Sequence, residues 1–168
     1  HPFIVYLKHD LARGANVARN YAIRESKGDF ITGLDDDDEM LPSRIENLLK
    51  AYDERYAYVF SAFNVIEDNN TYIHNCKADE ITLHNMLNGN VTGNQVLTTR
   101  EMFFKAGLFD ELLPAAQDYD MWIRMLKLKP LARALHESSY NHYATSHNRV
   151  TLSKKRKKGY LQCYKKYK

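Results

Sequence analysis

Cysteine is scarce in this sequence. Its 168 residues include two, Cys76 and Cys163, far apart and with no partners at metal-ligand spacing. A disulfide scaffold and a cysteine-based zinc site are excluded, and free thiols in a reducing compartment are expected. Long apolar runs are lacking too. No stretch of about 18 apolar residues occurs, which argues against a transmembrane helix. The opening His1-Pro2-Phe3-Ile4-Val5-Tyr6 has no basic region, long apolar stretch or cleavage site, so it does not read as a signal peptide. Acid is missing from one end. From Thr151 to Lys168 the chain carries eight basic residues and no acidic one, while His1 to Val150 holds 16 basic and 21 acidic residues. A mildly acidic body at 1–150 therefore carries a strongly basic segment at 151–168. The overall composition, 44% hydrophobic, excludes wholesale disorder, and the length fits one domain with a real core.

Periodicity assigns the elements. Phe3-Ile4-Val5-Tyr6-Leu7 reads as a short buried strand. A helix is expected from Gly14 or Asn16 to about Ser26, with Val17, Ala18, Tyr21 and Ala22 as its apolar face and Gly28 past its end. Phe30 to Leu34 reads as a second strand running into Asp35-Asp36-Asp37-Asp38-Glu39. Pro42 suits the first turn of a helix carrying Ile45, Leu48, Leu49 and Tyr52. Tyr58-Val59-Phe60 and Phe63-Val65 read as extended, and Asp68-Asn69-Asn70 as a turn to a return strand at Thr71–His74. A short helix at Ile81–Leu87, a strand at Asn94–Thr98, and helices at Arg100–Ala106 and Tyr119–Leu128 follow. Leu131–Leu135 and Ser139–Tyr143 read as extended. This order suggests an α/β sheet with additions.

Four consecutive aspartates repel one another unless they face water or a cation. At the C-terminal edge of a strand, where open α/β sheets bind ligands, hard carboxylate oxygens suit Mg²⁺ or Mn²⁺, with phosphate oxygens completing the shell. The alternative is a solvated acidic turn at the start of the helix near Pro42.

Several motifs stand in a specific order. They are Gly14-Ala15-Asn16-Val17-Ala18-Arg19-Asn20, Gly28-Asp29-Phe30-Ile31, Leu34 to Pro42, Gly93-Asn94 with Arg100-Glu101 and Gly107 to Glu111, and Gln117-Asp118-Tyr119-Asp120-Met121-Trp122-Ile123-Arg124. Together they resemble the family-two glycosyltransferases over about residues 1–150. The resemblance implies a GT-A fold: a Rossmann-like mixed sheet flanked by helices. It also implies inverting transfer of a sugar from a nucleotide-diphosphate donor, most commonly a UDP-sugar, to a glycan or lipid-linked acceptor in cell-surface polysaccharide synthesis. By the same resemblance Asp35-Asp36-Asp37 is the D-x-D motif. Asp37 is then the metal ligand for Mn²⁺ or Mg²⁺, and Asp35 or Asp36 contacts ribose or sugar, with Asp38 supporting the turn. Arg19 and Asn16 lie near the donor, and Arg19 pairs with an acid of the turn or faces phosphate. Asp118 is the general base, with Asp120 the alternate, which could instead pair with Arg124. His147 completes the metal site, with His142 second. An ordinary surface salt bridge for Arg19, a helix cap for Asp118 and a surface or core position for His147 are the plainer readings.

The chain departs from the family pattern at its start, where the T-x-N and D-D-G-S strands are absent, and at Gln117, which replaces an acid. The resemblance thus implies an N-terminally truncated catalytic domain with an open sheet edge, and full activity is not expected of this piece alone. Two rivals stand beside it: another metal-dependent nucleotidyl- or phosphotransferase, and a basic-tailed nucleic-acid-binding module, which the acidic body disfavours. The basic segment reads either as a solvated end or as a peripheral contact with an anionic cytoplasmic leaflet.

Overall fold

The computed structural model describes residues 3–67, 70–144 and 154–167. In chain order the elements are α1 (Ala15–Glu25), β1 (Phe30–Thr32), β2 (Asp38–Met40), α2 (Arg44–Ala51), β3 (Tyr56–Glu67), β4 (Asn70–His74), β5 (Glu80–Thr82), α3 (Leu83–Leu87), β6 (Leu97–Thr99), α4 (Arg100–Lys105), α5 (Gln117–Leu128), β7 (Leu131–Tyr143) and α6 (Lys154–Tyr167). Two long strands, β3 with 12 residues and β7 with 13, pair in parallel at the centre. Each outruns its short neighbours, so each takes two on its outer side. β3 pairs with β6 at Val59 and with β4 from Phe63 to Glu67. β7 pairs with β5 at Leu131–Arg133 and with β2 at Tyr140–His142. The described strands form one mixed sheet in the order β1-β6-β3-β7-β2, with β4 and β5 added to the long strands.

Helices cover both faces, which is why β3 is buried without interruption from Tyr56 to Phe63. Alternate side chains go to opposite layers. Tyr58 and Phe60 join Met121, Trp122 and Met125 of α5 in the main core. Val59 packs instead with Leu48 of α2 and Leu97 of β6. Each such burial contributes roughly 1.5–3 kcal/mol.

The expected return strand after Val65 is β4, in antiparallel register with β3; Asp68 and Asn69 of the expected turn lie outside the described residues. Several expectations change. The two extended pieces at 58–65 are one strand, and so are those at 131–143. The gap between the latter is an irregularity in the β3–β7 register, where Ser61 faces Leu135 but Ala62 faces Ser138. Exposed His136 and Glu137 occupy the extra positions. The helix after Pro42 begins at Arg44, and Glu80–Thr82 is strand before α3 begins. The expected strand at Phe3–Leu7 is not formed. Residues 4–9 are irregular, and Ile4, Val5 and Tyr6 are 74%, 78% and 82% exposed. A strand takes its backbone hydrogen bonds from a neighbour, and none of the described strands pairs with residues 4–7.

Residues 154–167 are neither a solvated coil nor a loose extension. They form α6, which buries Gly159 and Cys163, one turn apart, against the loop before α5.

Candidate active site

β1 delivers the chain to the aspartates. The Asp38 amide donates to the Asp35 carbonyl at 3.1 Å, closing a four-residue turn. This geometry divides the four carboxylates. Asp35 accepts from Arg19 at 2.7 Å and from Asn94 Nδ2 at 2.8 Å. Asp38 enters β2 and accepts from His142 Nδ1 at 2.8 Å. Burial raises the Asp38 carboxyl above the usual carboxylate range, His142 opposes this, and Asp38 Oδ2 has no hydrogen-bond partner. Asp36 and Asp37 stand exposed at the tip of the turn. The two outer aspartates are thus held by protein groups, and the two inner ones face solvent.

Arg19 projects from α1 and joins the turn to α5. Its guanidinium lies 2.7 Å from Asp35 and 3.9 Å from Asp118. Burial works against this charge, but Asp118 and Asp35 outweigh it and raise the Arg19 pKa. Asp118 is in the first turn of α5, with its side chain 18% exposed. Burial pushes its carboxyl up to about 6; Arg19 pulls it down and Asp35 adds to the rise. Arg19, Asp35, Asn94 and Asp118 share the wall of an open cleft of about 700 Å³, whose other walls include Ile31, Leu34 and Val96.

Asp120 is different. It is fully buried, and its carboxylate meets Arg124 at 2.8 Å, Lys166 at 2.8 Å and the Tyr167 hydroxyl at 2.6 Å. The expected Asp120–Arg124 pair is present, and Asp120 does not line the cleft. Asn16 also differs from a donor contact. It is 7% exposed, and its amide donates to the carbonyls of Asp110 and Leu113. Together with Asn20, which exchanges two hydrogen bonds with Phe109, it holds the segment leading to α5.

His147 lies outside the described residues. His142 is committed to Asp38. Among the described residues no group of three His, Cys, Asp or Glu side chains is placed to hold a metal ion. The sequence reading assigned no role to Asn94 or Tyr140. Asn94 bridges Asp35 and the Tyr140 hydroxyl, which donates to Asn94 Oδ1 at 2.8 Å. Gly93-Asn94 was visible as a motif, whereas a tyrosine on a strand carries no sequence signal of this kind.

Residues 1–133 match the family described as glycosyl transferase family 2. The chain belongs to glycosyl transferase family 2. Its mixed sheet flanked by helices is the GT-A arrangement, and family 2 enzymes generally take nucleotide-sugar donors. Among its relatives, an Escherichia coli protein named for a glycosyl transferase of colanic acid biosynthesis is 32% identical, across 99% of this chain and 62% of its own length. A Rickettsia felis protein named as a glycosyltransferase is 30% identical across 70% of this chain and 21% of its own length. One from Methanocaldococcus jannaschii is 26% identical across 73% of this chain and 44% of its own length. The chain therefore spans about a fifth to three fifths of the length of these relatives.

Proposed function

We propose that this glycosyltransferase domain moves a sugar from a UDP-sugar to a glycan or lipid-linked acceptor with inversion. The observation that carries this reading is Asp118, a carboxyl held at the wall of a cleft beside Arg19 and Asp35. Asp118 takes the proton from the acceptor hydroxyl as its oxygen attacks the anomeric carbon and the bond to the diphosphate breaks. Arg19 keeps Asp118 and Asp35 in one place and limits their mutual repulsion. Asp35 or Asp36 contacts the ribose or sugar. The Escherichia coli relative is named for colanic acid biosynthesis, which supports a glycan acceptor.

The exposed, unpaired Asp37 fits a divalent cation with few protein ligands. Mg²⁺ and Mn²⁺ retain waters and take phosphate oxygens, so few protein ligands suffice. Asp37 would hold the ion, with His147 as second ligand, and the bound ion would stabilise the charge of the departing diphosphate.

The outward side of α6 suggests where the enzyme works. Lys157, Leu161 and Lys165 follow one another at four-residue spacing, flanked by Lys158 and Tyr164, and all five are exposed. This face fits an anionic cytoplasmic leaflet. No described helix is long and apolar enough to cross a membrane.

Calorimetry of the whole protein with UDP and Mn²⁺ tests the donor side. Metal-dependent UDP binding should be lost in Asp37→Ala. Release of UDP on turnover supports sugar transfer, whereas release of pyrophosphate would support a nucleotidyltransferase instead.

A further inference from the structure

The segment before Asp118 is held in an unfavourable shape. Ala116 has φ of 59°, in the left-handed region, where a Cβ crowds the following carbonyl oxygen and a non-glycine residue is strained. It immediately precedes Gln117 and Asp118, so its conformation sets the direction in which α5 starts.

Two elements grip this segment. From one side, Asn16 and Asn20 of α1 bind the backbone of Phe109, Asp110 and Leu113. From the other side comes α6. Gly159 is buried against Ala115: a Cβ at this position would lie 2.7 Å from the Ala115 carbonyl carbon and overlap its oxygen. Cys163, one turn later, places Sγ 3.7 Å from the Ala116 carbonyl oxygen. One turn beyond that, Tyr167 donates to Asp120, and Lys166 bridges Asp120 at 2.8 Å and Asp110 at 3.3 Å. These contacts bracket Asp118 in sequence, at 110, 115, 116 and 120.

We propose that α6 is a strut that fixes the loop leading into the general base, with Gly159 and Lys166 as positioning residues for Asp118. The inference rests on Asp118 being that base, and it assigns the inner face of the basic segment a part in catalysis. Glycine is required because α6 must approach the loop at backbone contact. Lysine is required because one ammonium group ties both ends of the segment, Asp110 and Asp120. A general base acts only within hydrogen-bond reach of the acceptor oxygen, and displacement of about an ångström is costly in rate.

The test uses the whole protein and three measurements: amide hydrogen exchange over residues 113–119, UDP affinity by calorimetry with Mn²⁺, and UDP release from a panel of UDP-hexoses with acceptor extract. Gly159→Ala should raise exchange in that segment at least tenfold and lower kcat about tenfold or more. The donor KM and UDP affinity should stay within about twofold. Lys166→Met should act in the same sense, and Lys166→Arg should restore most of kcat. Should Gly159→Ala not fold, the lysine pair carries the test. Unchanged exchange and kcat in a folded Lys166→Met would overturn the proposal. So would a rise in exchange throughout the molecule with kcat falling, donor KM rising and UDP affinity lost, since that marks a merely structural role. Asp118→Asn is measured in parallel: if it turns over normally, the base assignment fails while the exchange result still reports on the strut.

Discussion

Asp118 and Asp120 lie two residues apart and meet opposite environments. Burial raises Asp118 to about 6 despite Arg19. Burial also opposes Asp120, but hydrogen bonds from Lys166 and Tyr167 and the charge of Arg124 prevail and lower it. As the base, Asp118 must be ionised, so kcat/KM should fall on the acid side of an inflection near pH 6. Arg19→Gln removes the cation that favours ionisation, and this inflection should move up by about one pH unit. Asp118→Asn should lower transfer by about a hundredfold or more while UDP affinity stays within a few-fold. The same residue makes a prediction about stability. Its folded pKa lies above the ordinary 3.8, so the stabilisation it contributes is present in acid and lost as pH rises through about 6. Asp118→Asn should therefore unfold at a higher urea concentration at pH 7, by on the order of 1–3 kcal/mol, with little gain at pH 4. Asp120→Asn should do the reverse at pH 7 and cost about 3 kcal/mol, because it removes a fully buried carboxylate that compensates the charges of Arg124 and Lys166.

α5 shows how an element positions chemistry. Its first turn offers Asp118 to the cleft, while Met121, Trp122, Ile123, Met125 and Leu126 are buried. The Trp122 ring packs against Tyr58, Phe103 and Phe109, and its Nε1 donates to the Gly93 carbonyl beside Asn94. Trp122→Ala should cost about 3–5 kcal/mol in urea unfolding. This helix was legible because its apolar spacing and its stop at Pro130 are local. β2 was not. Asp38-Glu39-Met40 has poor strand propensity and becomes a strand only by pairing with Tyr140–His142, about a hundred residues later. The continuity of β3 and β7 was equally hidden, because irregular register interrupts the two-residue alternation that marks a strand.

Across the whole molecule, charge is divided between an acidic body and the basic α6, and α6 itself is two-sided. Lys166 is spent on Asp110 and Asp120, leaving Lys157, Lys158 and Lys165 among the exposed cations of the outer face. Each basic residue near an anionic bilayer contributes about 1 kcal/mol, and salt weakens it. The whole protein should therefore sediment with phosphatidylserine-containing vesicles but not with neutral ones. Raising salt, or replacing Lys157, Lys158 and Lys165 with glutamate, should release it while leaving the fold intact. Equal partitioning onto both vesicle types would refute this contact, and retention by single-stranded oligonucleotides instead would favour nucleic acid.

The order of motifs from Gly14 to Arg124 determined, by itself, the family, the α/β class and the candidacy of Asp35, Asp37, Arg19 and Asp118, because each motif is a run of neighbouring residues with its own local chemistry. Only the tertiary structure decided which carboxylates are free. It paired Asp35 with Arg19 and Asn94, closed Asp38 on His142 and buried Asp120 under α6, leaving Asp36 and Asp37 in water. It also left Phe3–Tyr6 exposed where the sequence suggested a strand, and docked on the body a basic segment that the sequence left as a solvated end or a membrane contact. The reason is common to all of these. A residue's type is local, but its hydrogen-bond partner, its burial and hence its charge state depend on groups brought beside it from distant parts of the chain.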